Sequence, residues 1–131
     1  RDCIVLGDLP LCTVLLAPDA RFAGFILVPR RAGIREAYEL SQMDQDVLTR
    51  ESATFGRAIM QAFDGDKLNV GALGNMVAQL HIHHIVRHEG DAVWPHAVWG
   101  NGTPKAYTAA DIEIMRASVL GLKLPDFIEK H

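Results

Sequence analysis

Toward the N-terminus, short runs rich in Val, Ile, Leu and Phe at 3–6, 11–16 and 24–28 are separated by Gly7-Asp8, Pro10 and Pro18-Asp19-Ala20. Strand-length apolar runs bounded by turn residues predict an antiparallel series of strands. After Pro29, residues 34–40 predict a short helix, and Ser41 followed by Asp44 supplies an N-terminal cap for a longer one. In that longer helix Met43, Val47, Phe55, Ile59 and Phe63 recur at steps of four or eight, with Glu51 the polar exception, until Asp64-Gly65 ends it. Such a stripe is the core face of an amphipathic helix. Residues 68–72 and 77–86 return to strand character, joined through Leu73-Gly74-Asn75. Thr108 with Asp111 then caps a C-terminal helix over 108–123, which presents Ile112, Met115, Val119 and Leu122 on one face before Pro125. This order predicts an α+β fold, an antiparallel sheet of about five strands with a long central helix and a C-terminal helix. No repeat or linker interrupts it, so residues 1–131 are expected to form a single domain.

Composition narrows the function classes. Of 131 residues, 49% are apolar and 22% charged, enough apolar side chain for a real core. A formal net charge of -3 offers no basic footprint for a nucleic-acid polymer or an anionic membrane, so any nucleotide partner is expected to be small. No apolar stretch approaches the roughly 20 residues of a membrane-spanning helix. Cys3 and Cys12 are too few and too oddly spaced for a disulfide framework or a CxxC site, and read as reduced thiols of a cytoplasmic protein.

The chemistry concentrates at residues 79–88, Gln-Leu-His-Ile-His-His-Ile-Val-Arg-His, which hold four of the six histidines. Strand alternation places Gln79, His81, His83 and Arg87 on one face and Leu80, Ile82, His84 and Val86 on the other. The first face reads as a site and the second as core, with His84 a satisfied core histidine. For one imidazole to attack phosphorus, its other ring nitrogen must donate its proton to a fixed acceptor, for which a backbone carbonyl or the Gln79 amide can serve. Two histidines on one strand face are also a common metal-ligand arrangement, with His88 or His96 as third ligands. From these residues alone, phosphate chemistry and metal binding stand level. Arg87 reads as an ion-pair partner or a phosphate ligand, and Trp94 and Trp99 first as packing. Neither Gly-x-Gly-x-x-Gly nor a P-loop occurs.

Gln79-Leu80-His81-Ile82-His83-His84-Ile85 resembles in register the His-φ-His-φ-His-φ-φ signature of the histidine triad (HIT) family, with Gln79 in place of the first histidine and His84 in place of an apolar residue. The approach through Asn69, Gly71, Gly74 and Asn75 resembles the family's Asn-x-Gly segment and Gly-Gln-x-Val lead-in. Phe25-Ile26-Leu27-Val28-Pro29-Arg30 resembles its Val-Ile-Pro-Lys strand, and the stretch from Arg87 to Pro95 resembles a downstream Trp-Pro segment. The similarity is strongest over 3–99.

The resemblance implies a metal-independent nucleotide hydrolase or nucleotidyl transferase that forms a nucleotidyl-histidine, without a cofactor, on dinucleoside polyphosphates or nucleoside phosphoramidates. His81 would be the nucleophile, His83 would contact phosphate and leaving group, and Gln79 would take part in orienting the catalytic ring. Asn69, Asn75, Gly74 and Arg87 are the expected phosphate-side residues, and Leu6, Phe25 and Leu27 the expected nucleobase pocket. A homodimer is implied as well. Because glutamine cannot titrate, a nucleotide-binding protein without turnover is the alternative, with a His-ligated metal protein behind it.

Overall fold

In the computed structural model, residues 3–131 are described. Three strands, β1 (Ile4–Asp8), β2 (Cys12–Leu16) and β3 (Ala23–Pro29), form the expected antiparallel series. They are followed by α1 (Gln42–Ala62), β4 (Lys67–Gly71), β5 (Ile82–Arg87), α2 (Ala109–Leu120) and a two-residue strand, β6 (Ile128–Glu129). The sheet runs β4-β5-β3-β2-β1-β6, with every pairing antiparallel. It has six strands rather than about five because the C-terminal residues return to pair with β1 at Gly7 and Asp8.

Both helix caps form as the sequence predicts. Ser41 Oγ accepts from Asp44 N at 3.1 Å, and Thr108 Oγ1 accepts from Asp111 N at 3.1 Å, each satisfying a donor the helix leaves open. Within α1 the buried residues are Leu48, Glu51, Phe55, Gly56 and Ile59. Met43, expected on the core face, is exposed instead. Glu51 is in the stripe for a reason: its carboxylate accepts from Leu11 N at 2.8 Å and Cys12 N at 3.0 Å, fastening α1 to the start of β2. The expected helix over 34–40 is reduced to a 3-10 turn at Ala37–Glu39.

The expected strand over 77–86 begins only at Ile82. Beyond the Leu27–Ile82 pair, β3 reaches Pro29, which has no N–H to give. Leu80 turns away and donates its own N–H to Ile34 O at 2.8 Å. His81 therefore stands just before the ladder, where the chain leaves the sheet.

Register across the sheet separates two faces. Gly71, His83, Ile26, Leu15 and Val5 form one row from β4 to β1, and Val70, His84, Phe25, Leu16 and Ile4 form the row beside it on the opposite face. α1 covers the second face, with Phe55 edge-on to Phe25 at 5.4 Å and to the His84 ring at 5.8 Å. Met115 and Val119 of α2 join the same core. The first face carries the histidine site.

Candidate active site

Gln79, His81 and His83 line one cavity of about 390 Å3 on the face away from the helices, together with Leu15, Ile26, Val28 and Val77. Its size lies within the usual range of small-molecule pockets. His81 also lines a small cleft of about 40 Å3 with Gly74, Ala78, Arg35 and Glu36. The key hydrogen bond is local: His81 Nδ1 lies 2.7 Å from the carbonyl oxygen of Gln79. A carbonyl can only accept, so in the neutral ring Nδ1 carries the proton and Nε2 keeps its lone pair. Of the two acceptors the sequence left open, the backbone carbonyl takes this role. The Gln79 amide is directed elsewhere, donating to Arg31 O at 3.2 Å.

His83 sits beside His81, with ring centroids 5.4 Å apart. Burial, followed by the neighbouring His81 and His84, pushes its pKa down to about 4, so the ring is neutral at physiological pH. On the other face His84 is fully buried. Its Nδ1 donates to Ile82 O at 3.1 Å, which leaves Nε2 to accept from Ser52 Oγ at 2.7 Å. Burial lowers its pKa too. This is the satisfied core histidine that the alternation implied.

Arg87 is an ion-pair residue and not a free phosphate ligand. It is 1% exposed, and its guanidinium bonds Asp91 at 2.7 and 3.0 Å and Asn69 Oδ1 at 2.8 Å. These charge-assisted bonds hold Asp91 down at a pKa of about 2. Because the Asn69 oxygen is committed to Arg87, the donor end of that amide points away from it. Asn75 is exposed and Gly74 has a φ of 72°, the left-handed turn for which glycine is suited.

The expected nucleobase pocket is on the wrong face. Leu6, Phe25 and Leu27 are each no more than 1% exposed and belong to the core beneath the helices. Alternation along β3 turns Ile26 and Val28 toward the histidines instead, with Leu15 supplied by β2. Pairing register decides this, and a single strand read alone does not reveal it. Arg35 was also missed; nothing in its local pattern marks it, and only the fold brings it to the cleft beside His81.

The candidate metal ligands do not assemble. His88 Nε2 donates to Phe63 O at 2.8 Å, and among the described residues no three His, Cys, Asp or Glu side chains converge as metal ligands.

The HIT domain family model matches residues 1–90. This chain belongs to the histidine triad family. A histidine triad protein of Marinobacter aquaeolei VT8 is 48% identical, with a TM-score of 0.90 over 92% of this chain and 88% of that one. Another, of Sinorhizobium meliloti 1021, is 41% identical, with a TM-score of 0.89 over 92% and 90% of the two chains. A hypothetical histidine triad nucleotide-binding protein of Sulfolobus tokodaii strain 7 shares the fold at 17% identity and a TM-score of 0.67, over 94% and 87%. Comparison with curated proteins gave no match. The HIT fold accounts for the antiparallel sheet and the two helices.

Proposed function

We propose that this HIT protein is a nucleotide hydrolase or nucleotidyl transferase working through a nucleotidyl-His81 intermediate, with Gln79 at the first triad position. The observation that carries this reading is the Nδ1–H bond from His81 to the Gln79 carbonyl, which makes Nε2 the lone-pair nitrogen of the neutral ring. In the first step Nε2 attacks the α-phosphorus of a nucleotide; a P–N bond forms, and the bond from phosphorus to the leaving group breaks with its electron pair. In the second, water attacks phosphorus, the P–N bond breaks back to the imidazole, and nucleoside monophosphate leaves; an acceptor alcohol or amine in place of water gives transfer. The chemistry calls on no metal or cofactor. Dinucleoside polyphosphates and nucleoside phosphoramidates are the substrate classes that fit it.

Within this reading, the aliphatic surface of Leu15, Ile26 and Val28 seats the nucleoside. His83 contacts the phosphate as a neutral ring, and the Asn69 amide, the backbone around Gly74 and Arg35 meet the phosphate chain. Asn75 stands on the same approach loop. We place the reaction in the cytoplasm, in one HIT domain whose unpaired β4 edge is available to a second copy in a homodimer.

The test is intact mass after acid-free quenching, because a phosphorus–nitrogen bond to histidine is labile in acid. Wild type and His81→Ala are each mixed with diadenosine tetraphosphate and with an adenosine phosphoramidate. A nucleotidyl adduct and released nucleotide with wild type alone are expected. Turnover by His81→Ala at the wild-type rate overturns the nucleophile, and a ligand-raised Tm without adduct or turnover identifies a binding protein instead.

A further inference from the structure

His83 has no hydrogen bond to hold its ring among the described residues; its nearest oriented neighbours are two other rings, His81 at 5.4 Å and Trp99 at 5.7 Å. Trp99 comes from the stretch between β5 and α2, which has no helix or strand of its own. The outer edge of its six-membered ring comes so close to Gly71 of β4 that a Cβ there would meet it at 3.1 Å. Gly71 pairs directly with His83. The absence of a side chain at Gly71 therefore makes the space in which the indole reaches His83.

That stretch is tied down at both ends. At the near end Arg87 grips Asp91 through two parallel bonds, and the same carboxylate accepts from His88 N at 3.3 Å and Val93 N at 3.2 Å. Trp94 lies across the guanidinium at 5.4 Å. At the far end Asp19 accepts from Lys105 N at 3.2 Å, Ala20 N donates to Lys105 O at 2.7 Å, and Arg21 donates to Asn101 O at 3.2 Å. Buried, bidentate ion pairs give geometric definition beyond what an irregular segment has by itself.

We propose that Trp99 is a positioning residue for His83, carried on a doubly tethered strap of residues 88–105, and that the Arg87–Asp91 pair acts on the site through it. Its effect on turnover rests on the reading of His81 and His83 as the reacting pair; its effect on the His83 ring does not. A ring without a hydrogen bond is free to turn about its terminal torsion unless packing stops it. Trp99 and His81 both supply that packing, each with its ring steeply inclined to that of His83. The groups facing His83 are those two rings and Ile26 from β3, with His84 on the reverse of the strand. The indole N–H is itself buried without a hydrogen-bond partner among the described residues, which costs stability.

The experiment follows the imidazole nitrogens of the full chain by 15N NMR across pH, alongside kinetics. In Trp99→Ala the His83 titration is expected to rise from about 4 toward the ordinary imidazole value of 6.5, because the shielding ring is gone. Turnover should fall about 10- to 100-fold through misplacement of a catalytic group. KM should change by less than about twofold, since the loss is specific to the transition state. Trp99→Phe should restore most of both. Asp91→Asn, which loosens the tether without touching the site, should move His83 in the same direction by less, and decides the matter if Trp99→Ala fails to fold. A folded Trp99→Ala protein with an unchanged His83 titration overturns the proposal. If wild type turns over no nucleotide while the titration still shifts, the proposed activity fails and the positioning role stands.

Discussion

At the scale of single residues, the catalytic tautomer is set by a backbone atom. The acceptor for His81 Nδ1 is the Gln79 carbonyl, which every residue at that position possesses, whereas the Gln79 amide is turned toward Arg31 O. A histidine there is thus not required for the proposed nucleophile to adopt the right tautomer. Gln79→Ala is expected to keep the His81 tautomer, read from its 15N shifts, and to lower kcat/KM by no more than about tenfold, the effect of one weak orienting contact (about 1.4 kcal/mol). A loss comparable to His81→Ala would show that the amide, not the carbonyl, orients the ring. The alternation of Gln79, His81 and His83 was readable in the sequence, and the three do line one cavity, although only His83 lies within β5. The roles of Leu6, Phe25 and Leu27 were not, because which parity faces the site depends on the pairing Ile26–His83, a long-range fact. Arg87 was ambiguous for a similar reason: its partner Asp91 lies four residues on, but the burial that makes the pair structural comes from Phe22 and Trp94.

At the scale of elements, the helix that backs the site is joined to the sheet by a carboxylate. Glu51 interrupts an otherwise apolar stripe in α1, and its two oxygens take the N–H groups of Leu11 and Cys12 where β2 begins. β2 pairs with β3 and β3 with β5, so this joint ties α1 to the strand series in which Leu15 and Ile26 lie beside His83. Glu51→Ala strands two buried donors and is expected to destabilise the protein by roughly 2–6 kcal/mol, from about 1–3 per unsatisfied group. Glu51→Gln, which keeps one acceptor, should recover about half. The measurement is the urea midpoint at constant m-value, and a Glu51→Ala midpoint equal to wild type would show that water replaces the carboxylate without loss. The capped starts of α1 and α2 were legible because a cap is local, Ser41 to Asp44 and Thr108 to Asp111. β6 was not, since two residues carry no periodicity and pair with β1 only once the chain has folded back. The late start of β5 also depends on tertiary structure, through Leu80 and Ile34.

At the scale of the whole molecule, the site's electrostatics make stability fall with acid in two stages. His83 and His84 both have folded pKa values depressed by burial, His83 to about 4 from 6.5. A depressed histidine takes up its proton more readily in the unfolded chain, so the stability it contributes is whole above about pH 6.5 and drains away as pH falls toward 4. Asp91, held at about 2 by Arg87 against 3.8 ordinarily, follows the same sign in a lower window. Its contribution of about 2 kcal/mol is intact above pH 4 and lost between about 4 and 2. The expected profile is therefore a first decline in ΔG of unfolding between about pH 6.5 and 4, softened in His83→Gln, and a second below it, removed in Asp91→Asn. Because the strap carries Asp91 and the strand carries His83, the two stages report on the two halves of one site, and the first should shrink in Trp99→Ala, which lets water reach the ring. A ΔG that stays level from pH 7 to pH 4.5 in wild type would mean that His83 and His84 titrate alike in the folded and unfolded chain, and that the neutral pair of rings on β5 is not what the protein maintains in solution.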